Sequence, residues 1–132
     1  MLLDSQALLW FMQDDPRLGK GARRLIETVP FLHFSPVSIM ELRMKSLSLA
    51  QKGKPKLTLP ANLVQILRDQ GFKEIPLRSD DAEELATFLP LHKHDPMDRM
   101  LLAQAAKNNV NFLTADRVVL ALGIDWVIDA QE

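Results

Sequence analysis

With 132 residues, 47% of them hydrophobic and 25% charged, the chain is long enough to bury an ordinary core, and one domain spanning residues 1–132 is expected. It contains no cysteine, which excludes a disulfide framework and a thiolate metal site and makes a reducing, cytoplasmic setting the expectation. A formal net charge of −1 excludes a generally basic surface, so any contact with nucleic acid has to come from local clusters.

The chain starts at Met1-Leu2-Leu3-Asp4 with no basic leader, and no apolar run approaches the roughly 20 residues of a membrane-spanning helix, so neither export nor anchoring is expected. The apolar pair at 2–3 reads as a strand that closes at Asp4. Asp15-Pro16 places a capping side chain before a proline suited to the first helical position, and so signals a helix start. A second strand is expected at 31–34, followed by a second start of the same kind at Ser35-Pro36. In the helix beyond it, Val37, Met40, Met44 and Leu47 form one apolar stripe with Glu41 on its edge, so the carboxylate is expected to face inward or nearly so. The other reading of Glu41 is an i,i+4 pair with Lys45 on a solvated flank.

Residues 51–56 are polar with Gly and Pro and read as a loop; a third strand is expected at 72–76. His92 and His94 flank Lys93, and exposed loop histidines are the preferred reading because no third nitrogen ligand accompanies them. Asp95-Pro96 is the third helix start, with Asp95 in the capping position and Asp98 near the end of the first turn, where a carboxylate can leave the helix and point into a cleft. Strands at 111–113 and 126–128 complete the set, and Asp116 follows the first of these by way of Thr114-Ala115. Short apolar runs alternating with helix-length segments predict an α/β fold with a mostly parallel sheet of four or five strands in a three-layer α/β/α arrangement.

In such sheets a ligand sits outside the carboxyl ends of the strands, which directs attention to Asp4 and Asp116. A lone Asp after a strand ordinarily caps the helix that follows, so neither residue by itself marks a site. If Asp4, Glu41, Asp98 and Asp116 converge, their repulsion raises their proton affinity unless a cation offsets it, and all-oxygen ligands point to Mg²⁺ or Mn²⁺ rather than zinc. Metal-dependent phosphodiester hydrolysis is the natural reaction class for that constellation. Thr114 and Ser5 lie beside the acids and can hydrogen-bond a carboxylate or metal-bound water, though strand-end hydroxyls are more often local caps. Arg99 and Lys45 are the basic residues picked out for a phosphate backbone from clusters that are usually solvated faces.

Four segments together resemble the PIN domains of VapC-type toxins: Leu2-Leu3-Asp4; Ser35-Pro36-Val37-Ser38-Ile39-Met40-Glu41; Asp95-Pro96-Met97-Asp98-Arg99-Met100-Leu101-Leu102-Ala103-Gln104-Ala105; and Leu113-Thr114-Ala115-Asp116-Arg117. The third is the most specific, and the order and spacing cover nearly the whole chain. The resemblance implies that Asp4, Glu41, Asp98 and Asp116 hold Mg²⁺ or Mn²⁺. It also implies endoribonuclease activity on RNA, a homodimer and inhibition by a VapB-like antitoxin. The chain departs from that branch at Ser5-Gln6, Pro36 and Met97, and none of these departures removes an acid. Trp10 and Phe11, adjacent aromatics early in a helix, are expected to serve the dimer or the antitoxin.

A receiver-like domain wants paired acids after the first strand and a late lysine, but Asp4 stands alone and the last strand offers Asp129. A haloacid-dehalogenase-type phosphatase wants an aspartate where Gln6 stands. The remaining alternative is a catalytically silent PIN fold acting as a protein-interaction module, which retention of all four acids disfavours.

Overall fold

Five short strands pair side by side in a computed structural model that describes residues 1–54, 57–88 and 93–132. They are β1 (Leu2–Leu3), β2 (His33–Phe34), β3 (Lys73–Glu74), β4 (Phe112–Thr114) and β5 (Val127–Asp129). Every pairing is parallel, and the spatial order is β3-β2-β1-β4-β5. The expected runs are trimmed or shifted by a residue or two, and the sheet is wholly rather than mostly parallel.

The pleat divides the core in two. Leu2 lies opposite Phe112 and Leu3 opposite Leu113, and because successive strand residues point to opposite faces, the two rows enter different apolar clusters. Leu3 and Leu113 pack with residues of α1 (Ser5–Met12), α2 (Lys20–Thr28) and α4 (Leu63–Asp69). Leu2 and Phe112 pack with residues of α6 (Pro96–Lys107) and α7 (Arg117–Leu120). The long α3 (Pro36–Gln51) gives Val37 to one cluster and Leu42 to the other. Helices thus cover both faces of the sheet, as three layers require. All four central sheet side chains are fully buried, and truncating any one costs about 2–5 kcal/mol, so the strand ends that carry Asp4 and Asp116 rest on the firmest part of the fold.

A buried polar lock joins the two halves. Ser35 Oγ, which also caps α3 by accepting from the Val37 N–H, donates to Gln104 Oε1 at 2.5 Å. Gln104 Nε2 in turn donates to the carbonyls of Ile75 and Pro76 at 3.3 Å. Gln104 is fully buried in α6, and these bonds are what make a polar side chain tolerable there.

Three expectations are corrected. Asp15-Pro16 starts no helix: α2 begins at Lys20, with Gly19 as its cap. The Asp15 carboxylate instead accepts from the Arg17 N–H at 2.9 Å and pairs with the Arg17 guanidinium at 2.7 Å, a local turn that competes with helix formation. The apolar stripe of α3 is also turned outward. Met40, Met44 and Leu47 are 47%, 53% and 65% exposed, while Val37, Ser38 and Leu42 are buried. Both stripes satisfy a 3.6-residue period, and packing chose the one with the small Ser38. Trp10, finally, is a core residue at 5% exposure with Arg17 stacked over its ring, and the Phe11 ring lies 5.5 Å from that of Phe72, so neither aromatic is a free surface.

The 51–56 segment begins as the end of α3 at Gln51 and turns at Gly53, whose φ of 63° favours glycine; Pro55 and Lys56 lie outside the described residues. A short helix α5 (Ser79–Glu83) and a 3₁₀ turn (Glu84–Thr87) precede α6. Among the described residues no helix is long and apolar enough to cross a membrane.

Candidate metal centre

From β1 the chain moves outward through β2 to β3, then returns to β4 on the other side of β1 and continues to β5. The direction switch falls between β1 and β4, where the loops beyond the strand ends part to leave a crevice. Asp4 directly follows β1, and Asp116 follows β4 after one intervening residue. Glu41 reaches the crevice from α3 and Asp98 from the first turn of α6. A cleft of about 230 Å³ is lined by Asp4, Ser5, Gln6, Glu41, Asp98, Ala115 and Asp116. The structure thus brings the four acids to one cleft from four separate elements.

Asp4 and Asp116 are helix caps and also line the cleft. Asp4 Oδ1 accepts from the Ala7 N–H at 2.6 Å, and Oδ2 accepts from Thr114 Oγ1 at 2.5 Å and the Ala115 N–H at 3.1 Å. Burial nevertheless pushes its pKa up, against those three bonds and with help from the Asp116 charge. Asp116 Oδ1 caps α7 through the N–H groups of Val118 and Val119, at 2.8 and 3.0 Å. Its partial burial opposes ionisation, but the Val119 N–H and the contact with His94 outweigh it and hold the carboxyl below its ordinary range.

Glu41 Oε2 accepts from Ser5 Oγ at 2.8 Å. Burial, with Asp95 and Asp4 nearby, raises its pKa. Lys45 reaches toward Gln6 Oε1 at 3.4 Å, at the rim of the cleft. Asp98 is the most perturbed: burial first, then the charges of Glu41 and Asp116, push it up to about 7. Asp95, by contrast, is exposed and accepts from the Met97 N–H at 2.8 Å, the capping role expected of it.

Two residues depart from expectation. Arg99 does not line the cleft; its guanidinium donates to the carbonyl of Leu85, bracing α6 against the 3₁₀ turn. His94, expected as an exposed loop residue, has its Nε2 2.7 Å from Asp116 Oδ2 and 3.2 Å from Asp98 Oδ2. Partial burial disfavours its charged form, yet the bond to Asp116 and the charges of Asp116, Asp98 and Asp95 raise its pKa on balance. The signal available in sequence was its i,i+4 spacing to Asp98 across a helix start. His92 lies outside the described residues. Gln6, a lining residue, carried no signal beyond its adjacency to Ser5.

The donor set suits a hard divalent cation. Carboxylate oxygens predominate, two of the acids are steadied by Thr114 and Ser5, and Asp98 is pushed up by burial first and then by the charges of Glu41 and Asp116, which a cation would offset.

Solved structures with the same fold include a toxin–antitoxin complex from Klebsiella pneumoniae, with TM-score 0.63, 20% identity and coverage of 96% of this chain and 94% of that one. Another is VapBC2 from Rickettsia felis bound to a DNA fragment from its promoter, with TM-score 0.62, 11% identity and coverage of 97% and 95%. A third is FitAcB from Neisseria gonorrhoeae, with TM-score 0.60, 16% identity and coverage of 97% and 94%. No curated protein matches in sequence. The PIN domain family model matches residues 1–123, a span that contains Asp4, Glu41, His94, Asp98 and Asp116, and the chain belongs to the PIN domain family.

Proposed function

We propose that this protein is a Mg²⁺- or Mn²⁺-dependent endoribonuclease acting in the cytoplasm as the toxin of a toxin–antitoxin pair, restrained by a VapB-like antitoxin. The observation that carries the reading is the convergence of Asp4, Glu41, Asp98 and Asp116 on one cleft at the switch point of the sheet.

In this reading the four carboxylates hold the cation. When bound, it supplies Lewis acidity and a water of lowered proton affinity for in-line attack on a phosphodiester. Thr114 fixes Asp4 and Ser5 fixes Glu41, so two of the acids are oriented before any ligand arrives. Asp98, which burial and the charges of Glu41 and Asp116 push up to about 7, would be held as the carboxylate by a bound cation. Lys45, at the rim beside Gln6, is the cation offered to a backbone phosphate. Arg99 donates to the Leu85 carbonyl and does not line the cleft, so this reading gives it no contact with the backbone phosphate.

Similarity to a chain of a toxin–antitoxin complex supports the antitoxin as partner. A homodimer belongs to the same reading, and the outward stripe of Met40, Met44 and Leu47 on α3 is an apolar face for it to cover. The test is cleavage of structured and unstructured RNAs with Mg²⁺, Mn²⁺ or chelator, alongside Asp98→Asn. Metal-dependent cutting abolished by the substitution is expected; a folded protein that cuts nothing under any condition would point to a silent interaction module.

A further inference from the structure

His94 is the one nitrogen donor in a group of three whose ligand atoms, with those of Asp98 and Asp116, all lie within 4.8 Å of one another. We propose that His94 Nε2 is a metal ligand together with Asp98 and Asp116, and that this nitrogen tilts the site from Mg²⁺ toward transition-series divalent ions. The inference rests on the metal-site reading above and adds to it a specificity-determining ligand.

The geometry is that of a coordination edge. Two neighbouring ligands on an octahedral ion with bonds of about 2.1 Å stand about 3 Å apart. The His94 nitrogen lies 2.7 Å from Asp116 Oδ2 and 3.2 Å from Asp98 Oδ2, on either side of that value. An ion could therefore take all three donors with small side-chain shifts.

The chain holds the histidine there by local means. Asp95 caps α6 through the Met97 N–H, which fixes the turn at the helix start. His94, the residue before the cap, has its Nε2 3.2 Å from Oδ2 of Asp98 at the third helical position. Asp116 is held in turn by its two cap bonds to α7. Two of the three donors are thus tied to helix starts, and His94 bridges them.

The chemical consequence follows from ligand softness. Mg²⁺ prefers oxygen and gives up its waters reluctantly, whereas imidazole suits transition-series ions, whose affinities rise from Mn²⁺ onward. Replacing one oxygen position by imidazole should widen the gap between Mn²⁺ and Mg²⁺ without abolishing either.

The test is titration of the full chain with Mn²⁺ and, separately, Mg²⁺ by calorimetry, together with pulsed electron paramagnetic resonance of the Mn²⁺ form, for the wild type, His94→Ala and His94→Gln. Thermal melts establish that each variant folds. Expected are a ¹⁴N modulation of directly bound imidazole in the wild type and its loss in both variants. Mn²⁺ affinity should fall about tenfold or more and Mg²⁺ affinity less than about threefold. A nitrogen signal that persists in the variants, equal losses for both ions, or tighter binding of both would overturn the assignment while leaving the acidic site standing. A wild type that binds neither ion would overturn it together with the metal-site reading.

Discussion

The hydroxyl of Thr114 donates to Asp4 Oδ2 at 2.5 Å and accepts from the backbone N–H of Asp116 at 3.0 Å, so one side chain at the end of β4 sets the position of two acids that follow neighbouring strands. Thr114→Val keeps the shape and removes both bonds. The buried carboxylate and the Asp116 N–H each lose a partner, and a loss of about 1–3 kcal/mol in urea unfolding is expected. Divalent-ion affinity, read by calorimetry, should fall about 10- to 100-fold. Wild-type affinity in the valine variant would show that Asp4 needs no such support.

The metal-free protein should lose stability as pH rises from 5 to 8. Asp98 has its pKa raised to about 7, so the folded state keeps a proton that the unfolded state has already released, and stability falls from the ordinary carboxyl value of 3.8 up through about 7. His94 works in the same direction: its raised pKa gives stability that is present below the ordinary 6.5 and lost as pH passes its higher folded value. Asp116, held low, acts oppositely and only on the acid side, where its contribution disappears as pH drops below 3.8. Asp98→Asn should flatten the slope and stabilise the metal-free protein at pH 8 by about 1–2 kcal/mol after allowance for solvent screening. Urea unfolding in chelator across that pH range measures it, and an unchanged slope in the variant would count against the crowding of charge.

Adding metal should reverse that trend. A divalent ion at 100 times its dissociation constant stabilises the folded state by about 2.7 kcal/mol, and the rise in Tm should be larger at pH 8, where the acids are ionised, than at pH 5.5. An equal rise at both pH values, or the same rise in Asp98→Asn, would indicate binding elsewhere.

Gln104→Met should be among the costliest substitutions outside the apolar core. It preserves length but leaves the Ser35 hydroxyl and the carbonyls of Ile75 and Pro76 without this partner in a fully buried position. About 2–4 kcal/mol is expected in chemical denaturation. A change below 1 kcal/mol would mean that water replaces the amide.

The strands were legible because each is a short apolar run between polar breaks, and the arrival of Asp4 and Asp116 at one edge follows from their places directly after such runs. The inward turn of Glu41 was anticipated for the wrong reason. Its presumed companions Met40 and Met44 face solvent, and the carboxylate is drawn in by Ser5 and the buried Val37–Leu42 side of the helix. Hydrophobicity alone cannot choose between two stripes that share a period; the choice is made by which side chains allow close approach. His94 was hidden because its sequence neighbours give no apolar pattern, and its contacts with Asp98 and Asp116 exist only in the folded chain. Arg99 does not line the cleft although Asp98 does, because successive residues on a helix diverge by about 100°.

The central place of β1 bears on the order in which the molecule can assemble. Leu2 is flanked by His33 and by Phe112, so β1 has its second neighbour only once β4, far along the sequence, is available. Long-range parallel pairing of this kind is slow because loop closure precedes any reward from contact. The acids share the delay, since Asp116 lies beyond β4 and no earlier partial fold can bring it to Asp4. The carboxylates therefore stay apart until β4 pairs with β1, and the cleft comes into being only with that pairing.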